Sequence, residues 1–262
     1  MAADDFELIL LGTGAAFPPS DRENTSLALA WPGGIWLIDC GASPHRRLRA
    51  AGLDPEELRG VLITHGHPDH LYGLPSLIHC LLPARRTDPL PVLAPSEAIE
   101  QARRILDAFQ LLERDEIRVE LVELAHSEGT VTPALELDGL SLGTAPVAHG
   151  PMTVGIHAEA RGRAIAYSSD TMPCEGVAAL ADGAHMLVHE ATFRERDRDR
   201  MPAGHSTARD AGQAAAAAGA ETLILVHFLE ETLADPEGLR REAEEVFNGR
   251  VEIGHDLGCY RV

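Results

Sequence analysis

Three histidines and an aspartate lie within six residues of one another, directly after a short apolar segment. His65, His67, Asp69 and His70 follow Val61–Ile63 in the pattern H-x-H-x-D-H. Imidazole nitrogens and carboxylate oxygens are ligands for zinc and similar divalent ions. In an extended turn the first two histidines can point the same way and bind one ion, while Asp69 and His70 reach a second position. The string therefore predicts a metal site.

Three more candidate ligands, His149, Asp170 and His227, each stand at the end of an apolar, strand-like segment. Each alone is equally well explained as an ordinary polar residue at a strand end. Side chains from several strand ends can converge on one rim, however, and these three supply the ligands that the first string lacks. The expected division has one site of His65, His67 and His149, a second of Asp69, His70 and His227, and Asp170 bridging the two.

Two short strings, H-E-A-T around Glu190 and G-H-S-T around His205, carry further ionisable groups. In a purely structural interpretation, H-E-A-T is a polar pair at the end of a strand. G-H-S-T is then the start of a helix, since Ser206 or Thr207 could cap the helix that follows.

Asp39 has two interpretations as well. It is either a partner that fixes a ligand histidine or the cap of the turn before C-G.

The elements that must position these residues are short strands alternating with helical patterns. The strands are predicted at 6–11, 25–31, 35–39, 61–64, 117–124, 140–146, 153–158, 163–168, 185–189 and 222–227. The helices are predicted at 44–51, 71–82, 96–112, 206–218 and 236–247. This mixture favours a layered α/β sandwich. No linker divides the chain, so residues 1–262 are expected to form one domain, with the charged run 194–200 as a solvated, mobile loop.

The composition excludes several classes of function. With 22 Lys and Arg against 41 Asp and Glu, the net charge is −19, which disfavours a broad basic surface for nucleic acid. The 45% apolar share is that of a globular chain. No apolar run approaches the roughly 20 residues of a membrane-spanning helix. The cysteines have no paired spacing, so reduced thiols and a cytoplasmic location are expected.

The H-x-H-x-D-H string, followed in order by His149, Asp170 and His227, resembles the metallo-β-lactamase superfamily. That resemblance implies an αββα sandwich of two mixed sheets flanked by helices, with two metal ions at one edge. The segments L-G-T-G at 11–14 and I-D-C-G at 38–41 are similar to those of the ribonuclease Z branch. The H-E-A-T and G-H-S-T strings are similar to it too.

The resemblance implies a phosphodiesterase that binds two divalent ions. Zinc is the expected metal, and manganese and iron are the alternatives. A hydroxide held between the metals would attack phosphorus, and Asp69 would orient it as well as bind metal. Glu190 and His205 would pair, and His205 would give a proton to the leaving oxygen. A homodimer is implied in the same way.

Two features differ from the ribonucleases Z that bind tRNA. Those enzymes carry a protruding arm between the positions of His149 and Asp170, whereas only residues 150–169 lie between them here. After His227 the family usually continues with Ser and an Arg-Tyr pair, where this chain has F-L-E-E. A small or short phosphodiester is therefore the expected substrate, and extended nucleic acid is disfavoured.

Three alternatives stay open on the sequence. The same fold and metals could hydrolyse a carboxylic or sulfuric ester, a lactone or a thioester, because the same hydroxide attacks carbonyl carbon. A tRNA 3′-processing endonuclease is the second alternative. A non-catalytic metal-binding module is the third and belongs to a different class of protein.

Overall fold

The computed structural model describes residues 5–200 and 202–262, and these form two seven-stranded sheets. The first sheet has the order β14-β1-β2-β3-β4-β5-β6. Its strands are β1 Glu7–Gly12, β2 Ser26–Trp31, β3 Gly34–Ile38, β4 Leu58–Leu62, β5 Leu90–Ala94, β6 Val119–Glu123 and β14 Cys259–Arg261. The C-terminal strand thus returns to pair with the first strand.

The second sheet has the order β13-β12-β11-β10-β9-β8-β7. Its strands are β7 Thr132–Leu137, β8 Leu140–Val147, β9 Thr153–Ala160, β10 Arg163–Tyr167, β11 Met186–Glu190, β12 Thr222–Val226 and β13 Arg250–Ile253. The helices of the described residues are α1 Pro44–Ala50, α2 Pro68–Leu71, α3 Leu74–Leu81, α4 Ser96–Ala108, α5 Glu175–Ala181, α6 Ala208–Ala218 and α7 Pro236–Glu244. None of them is both long and apolar enough to cross a bilayer.

Three apolar clusters define four layers. One cluster packs the outer face of the first sheet against α1, α3 and α4, and another packs the outer face of the second sheet against α5, α6 and α7. The third cluster contains side chains from both sheets and lies between them. The predicted αββα sandwich is confirmed. The expectation of one domain over residues 1–262 stays a prediction.

The strand β2 illustrates why the sequence builds these layers. Successive side chains of a strand point to opposite faces. Leu27, Leu29 and Trp31 face the other sheet, whereas Ala28 and Ala30 face the helices. Both faces are buried, so the strand is apolar from Leu27 to Trp31, as is usual for a strand covered on both sides.

The candidate site lies where the strands end. β3 and β4 are parallel neighbours, as are β10, β11 and β12. Their carboxyl ends therefore meet along one edge of the sandwich. β8 runs antiparallel to β9, which runs antiparallel to β10, so the end of β8 reaches the same edge.

All the predicted strands and helices are present, but several elements escaped the sequence analysis. These are β5, β7, β13, β14, α2 and α5. The segment of α5 contains Gly176, which usually weakens a helix. A Cβ at this position would lie 1.9 Å from the carbonyl oxygen of Pro146, so glycine lets the helix approach β8 closely.

The charged run 194–200 differs from the solvated loop expected of it. Arg194 is buried and donates from Nε to Glu242, at 2.8 Å. Residues Glu195–Arg200 form a 3-10 helix, and Arg198 donates to Asp210 at 2.7 Å. The expectation of a solvated loop was wrong at Arg194, and Arg198 is anchored as well, because α7 and α6 supply carboxylates that the local sequence does not reveal.

Candidate metal centre

Three imidazole nitrogens converge at the edge of the sandwich. His67 Nδ1 lies 3.0 Å from His65 Nε2 and 3.2 Å from His149 Nε2. An oxygen of Asp170 lies 3.9 Å from the Nε2 atoms of His65 and His149. The four donor atoms face one another closely enough to bind one ion.

A second group of donor atoms lies beside the first. Oδ2 of Asp69 is 3.4 Å from Nε2 of His70 and 3.7 Å from Nε2 of His227. The two oxygens of Asp170 reach this group as well, at 3.5 Å from His70 Nε2 and 3.2 Å from His227 Nε2. Asp170 therefore lies between the two groups and contacts both.

Buried partners fix the ring orientation of His65 and His70. His70 donates from Nδ1 to Oδ2 of Asp39, at 2.8 Å. His65 donates from Nδ1 to the hydroxyl of Thr64 at 3.1 Å, and that hydroxyl contacts the carboxylate of Asp39 at 3.0 Å. Asp39 thus holds two candidate ligands, which is the usual function of a carboxylate behind a metal-bound histidine. Of the two interpretations of Asp39, these contacts favour the partner of a ligand.

The rings of His149 and His227 are oriented by residues of the segment between β11 and α6. His227 donates from Nδ1 to the hydroxyl of Thr192 at 2.8 Å, and that hydroxyl donates to Glu190 at 2.6 Å. His149 donates from Nδ1 to the carbonyl oxygen of Gly204 at 2.7 Å. In His65, His70, His149 and His227 alike, the Nε2 lone pair is left facing the cluster.

Three buried atoms of the cluster have no hydrogen-bond partner among residues 5–200 and 202–262: Nε2 of His70, Nε2 of His227 and Oδ1 of Asp170. Buried polar atoms are almost always partnered in folded proteins. Lone pairs of nitrogen and carboxylate oxygen that point at one another are satisfied by a cation between them. The residues present therefore fit divalent metal ions.

The charge states of the ligands also suit metal binding. Burial raises the pKa of Asp69, but the imidazoles of His227 and His70, whose Nε2 atoms lie 3.7 and 3.4 Å from its Oδ2, hold that pKa below its usual range. Burial raises the pKa of Asp170 too, and the charges of His227 and His70 bring it well below its ordinary value. Burial lowers the pKa of His65 far below normal. Ionised carboxylates and neutral imidazole are the forms that bind a cation. Burial lowers the pKa of His70, but Asp170 and Asp39 outweigh burial and raise that pKa well above normal, so this ring must release a proton when an ion binds.

Glu190 and His205 form a pair beside the cluster. Oε1 of Glu190 lies 3.0 Å from Nδ1 of His205. Glu190 is fully buried and accepts from the backbone nitrogens of Thr171 and Ser206, at 2.7 and 3.1 Å. Burial lowers the pKa of His205, but the hydrogen bond and charge of Glu190 more than offset this and raise it to about 9. Without bound metal, His205 is therefore protonated near neutral pH.

His205 also lies within reach of the second group of ligands. Its ring stacks on that of His227 with centroids 5.5 Å apart, and donor atoms of Asp170, His205 and His227 fall within 4.8 Å of one another. His205 was not among the expected ligands, because the other seven residues complete both sites without it. The geometry allows it to act as a ligand as well as a proton donor, and one variant separates the two roles (see Discussion).

Three residues at this edge have left-handed backbone conformations. The φ angles of Asp39, Ser169 and His227 are 60°, 55° and 64°. Non-glycine residues seldom adopt such angles, and they persist where surrounding contacts enforce them. Each follows a strand directly or by one residue, so the chain turns sharply at the edge.

The sequence pattern identifies the residues that approach the cluster but not those that hold them in place. All seven predicted ligands, together with Glu190 and His205, lie at one edge. Thr64, Thr192 and Gly204 were not singled out as partners of ligands. The only available signal was proximity, since each lies within two residues of a named site residue.

Comparisons with known proteins agree with this geometry. Residues 36–228 match the model of the beta-lactamase superfamily domain. The chain belongs to the beta-lactamase superfamily. Within this superfamily, the ribonuclease Z of Methanothermobacter thermautotrophicus is 33% identical over 264 residues, covering 85% of this chain and 86% of the relative. The ribonuclease Z of Mycolicibacterium paratuberculosis is 32% identical and covers 96% of both chains.

A solved structure supports the fold of this beta-lactamase superfamily member. The metallo-beta-lactamase fold protein YhfI from Bacillus subtilis superposes with a TM-score of 0.84 at 22% identity, covering 99% of this chain and all of that one. The relatives named ribonuclease Z, at 32–33% identity, confirm the predicted resemblance to that branch. The prediction of a metal-dependent hydrolase is confirmed with it.

Proposed function

We propose that this protein is a phosphodiesterase that binds two divalent ions and acts on small or short phosphodiesters. The observation that carries the proposal is the position of Asp170, whose two oxygens contact both groups of imidazole nitrogens. A carboxylate shared in this way suits a pair of cations a few ångströms apart. The proposed ligands are His65, His67 and His149 for one ion, Asp69, His70 and His227 for the other, and Asp170 for both.

When bound, two such ions lower the pKa of a water molecule and neutralise the charge that develops on a phosphate. The residues of the chain do the rest. Asp69, whose Oδ2 is the oxygen that lies beside His70 and His227, would accept a hydrogen bond from the attacking water through its other oxygen and orient that water. His205, held and kept protonated by Glu190, would donate its proton to the oxygen of the departing alcohol.

Zinc is the proposed metal, because five imidazoles and two carboxylates suit it well. The same donors also bind manganese and iron in their divalent forms. Analysis of the metal content after expression in medium supplemented with each ion would identify the preferred one.

The tRNA 3′-processing endonuclease is the second candidate, favoured by the relatives named ribonuclease Z at 32–33% identity. The structure of the 150–169 segment supports the small-substrate proposal instead. β9 and β10 form a hairpin closed by Arg161 and Gly162, both with positive φ, so the segment is used up by a two-residue turn and two strands. No length remains there for a protruding arm. The charge of −19 would also repel RNA.

The proposal also covers the compartment, the oligomeric state and the alternative reactions. Free cysteines at Cys40, Cys80, Cys174 and Cys259 suit a reducing compartment such as the cytoplasm. A homodimer is proposed from the resemblance to ribonuclease Z alone. Hydrolysis of carboxylic or sulfuric esters, lactones or thioesters is the remaining enzymatic alternative, and a non-catalytic metal-binding module is the alternative of another class.

The test combines metal titration with a substrate panel. Metal-free protein is titrated with zinc, and the loaded enzyme is assayed on an aryl phosphodiester, cyclic nucleotides, aryl esters, a lactone, a thioester and pre-tRNA. We expect two ions per chain and preferential hydrolysis of small phosphodiesters. The double variant His65→Ala, His67→Ala should lose metal and activity together, while His126→Ala, at an exposed histidine, should match the wild type. A single ion at saturation would refute the two-metal proposal, and faster hydrolysis of carboxylic esters would refute the substrate class.

A further inference from the structure

His227 depends on its neighbours for its position at the metal edge. It directly follows β12 and has a φ of 64°, a conformation that surrounding contacts must maintain. The next residue, Phe228, donates from its backbone nitrogen to the carbonyl oxygen of Thr13 at 3.0 Å. Its own carbonyl oxygen accepts from the nitrogen of Ala15 at 2.9 Å. The segment 13–15 thus fixes the chain on the far side of His227.

A carboxylate from the C-terminal part of the chain holds that segment. The hydroxyl of Thr13 donates to Oδ1 of Asp256 at 2.7 Å. Oδ2 of Asp256 accepts from Arg47 at 2.8 Å and from the backbone nitrogen of Glu23 at 2.9 Å. The side chains of Asp256 and Arg47 are only 14% and 13% exposed, so solvent screens this ion pair weakly.

Arg22 connects the same network to the ring of Phe228. Its guanidinium donates to the hydroxyl of Thr13 and to the carbonyl oxygen of Gly254, both at 2.6 Å. The guanidinium carbon also lies 5.2 Å from the centre of the Phe228 ring, within the range of a cation–π contact. The backbone nitrogen of Gly254 donates to Leu225, two residues before His227, at 2.8 Å.

We propose that Asp256 is a positioning residue for His227, acting through Thr13 and Arg22. The contacts reach the chain on both sides of His227, and none of the hydrogen bonds of Asp256 among the described residues goes to a proposed metal ligand. Asp256 therefore tunes the metal site that contains Asp69, His70 and His227, and leaves the site that contains His149 unaffected. This inference rests on the metal-binding part of the proposed function and is independent of the substrate.

The test is calorimetric titration of metal-free protein with zinc. In Asp256→Asn, one of the two binding events should weaken by about 10- to 100-fold, the usual loss when the support of a metal ligand is removed. The other event should be unchanged. Thr13→Val, which removes only the hydroxyl, should give the same pattern, and Thr13→Ser, which retains it, should match the wild type. The matched control is Glu252→Gln. It alters a carboxylate that lies four residues before Asp256 in the sequence and forms an ion pair with Arg250 at the surface.

Variants of the proposed ligands show which of the two zinc-binding events depends on Asp256, because residues that act together give non-additive effects. In His227→Ala, the remaining binding event should be unchanged by adding Asp256→Asn. In His149→Ala, the remaining event should still weaken. Equal weakening of both events, or Thr13→Val binding like the wild type, would overturn the inference and leave Asp256 a general stabilising residue. A wild type that binds no zinc at all would overturn the proposed function and this inference together.

Discussion

Gly204 binds a candidate ligand through its carbonyl oxygen, which accepts a hydrogen bond of 2.7 Å from Nδ1 of His149. The next residue along the chain is His205, which pairs with Glu190. Two adjacent residues therefore orient a ligand of one proposed ion and supply the proposed proton donor. A single peptide unit therefore couples the position of the ligand His149 to that of the proposed acid His205.

Replacing Gly204 with alanine should disturb both functions at once. Its φ of 101° is unsuited to any residue with a Cβ, and an added Cβ would lie 2.7 Å from Nδ1 of His149. We expect Gly204→Ala to weaken zinc binding by about tenfold or more and to slow hydrolysis further. Zinc titration and steady-state kinetics on one phosphodiester measure the two effects. Gly150→Ala is the matched control, since an added Cβ there meets nothing within 4 Å. A Gly204→Ala enzyme with the zinc affinity and the hydrolysis rate of the wild type would contradict the coupling.

Replacing His205 distinguishes a proton donor from a metal ligand. As a donor, its loss in His205→Ala should reduce hydrolysis of an alkyl phosphodiester by roughly 100- to 10,000-fold. Nitrophenolate departs without a proton, so the loss on a nitrophenyl diester should be far smaller, and both ions should be retained. Glu190→Gln should give a milder version of the same pattern. Loss of one ion from His205→Ala would assign it to the second metal site, and equal losses on both substrates would make it a scaffold residue.

Removing the charge of Asp39 should weaken both metal sites. Asp39 accepts from His70 and contacts the hydroxyl that orients His65, so one carboxylate supports a ligand of each proposed ion. In Asp39→Asn, we expect affinity for both ions to fall by about 10- to 100-fold. This pattern differs from that of Asp256→Asn, in which only one binding event weakens. Selective loss of one ion from Asp39→Asn would show that its bond to Thr64 is unimportant.

Pre-tRNA should be a poor substrate in comparison with small phosphodiesters. The hairpin of β9 and β10 occupies the segment where an arm would have to emerge, and the surface is strongly acidic. The disadvantage should be largest at low salt, where charge repulsion acts over the longest distance. Measurements of kcat/KM for both substrates over a range of salt concentrations check this. Efficient 3′ cleavage of pre-tRNA at low nanomolar enzyme would favour the endonuclease.

The sequence was sufficient to predict the layers and to name the residues that come together in the candidate metal centre. A ligand string after a strand and polar residues at strand ends carry a signal in their spacing, so His65 and Asp170 were found. The supports of these ligands carry no such signal. Thr192 is one hydroxyl in a turn, and its function depends on Glu190 and His227, the second of which lies 35 residues away. Asp256 acts across 243 residues of chain, a distance that no local pattern can report.

The same limit explains the elements that were missed. Pro91 lies within β5, and proline within an apolar run argues against a strand. β5 forms nonetheless, because β4 and β6 flank it and supply the hydrogen bonds that it needs. Tertiary contacts of this kind override the local preference.

The left-handed residues at the metal edge, Asp39, Ser169 and His227, have a consequence for engineering. Their conformations cost free energy that the rest of the sandwich must supply. Substitution of Ser169 by glycine should remove part of this cost and raise the melting temperature, at the risk of loosening Asp170 beside it. Directed evolution for heat resistance alone would therefore be expected to collect changes at this edge and to lose activity, which is the trade-off found where function needs a strained backbone.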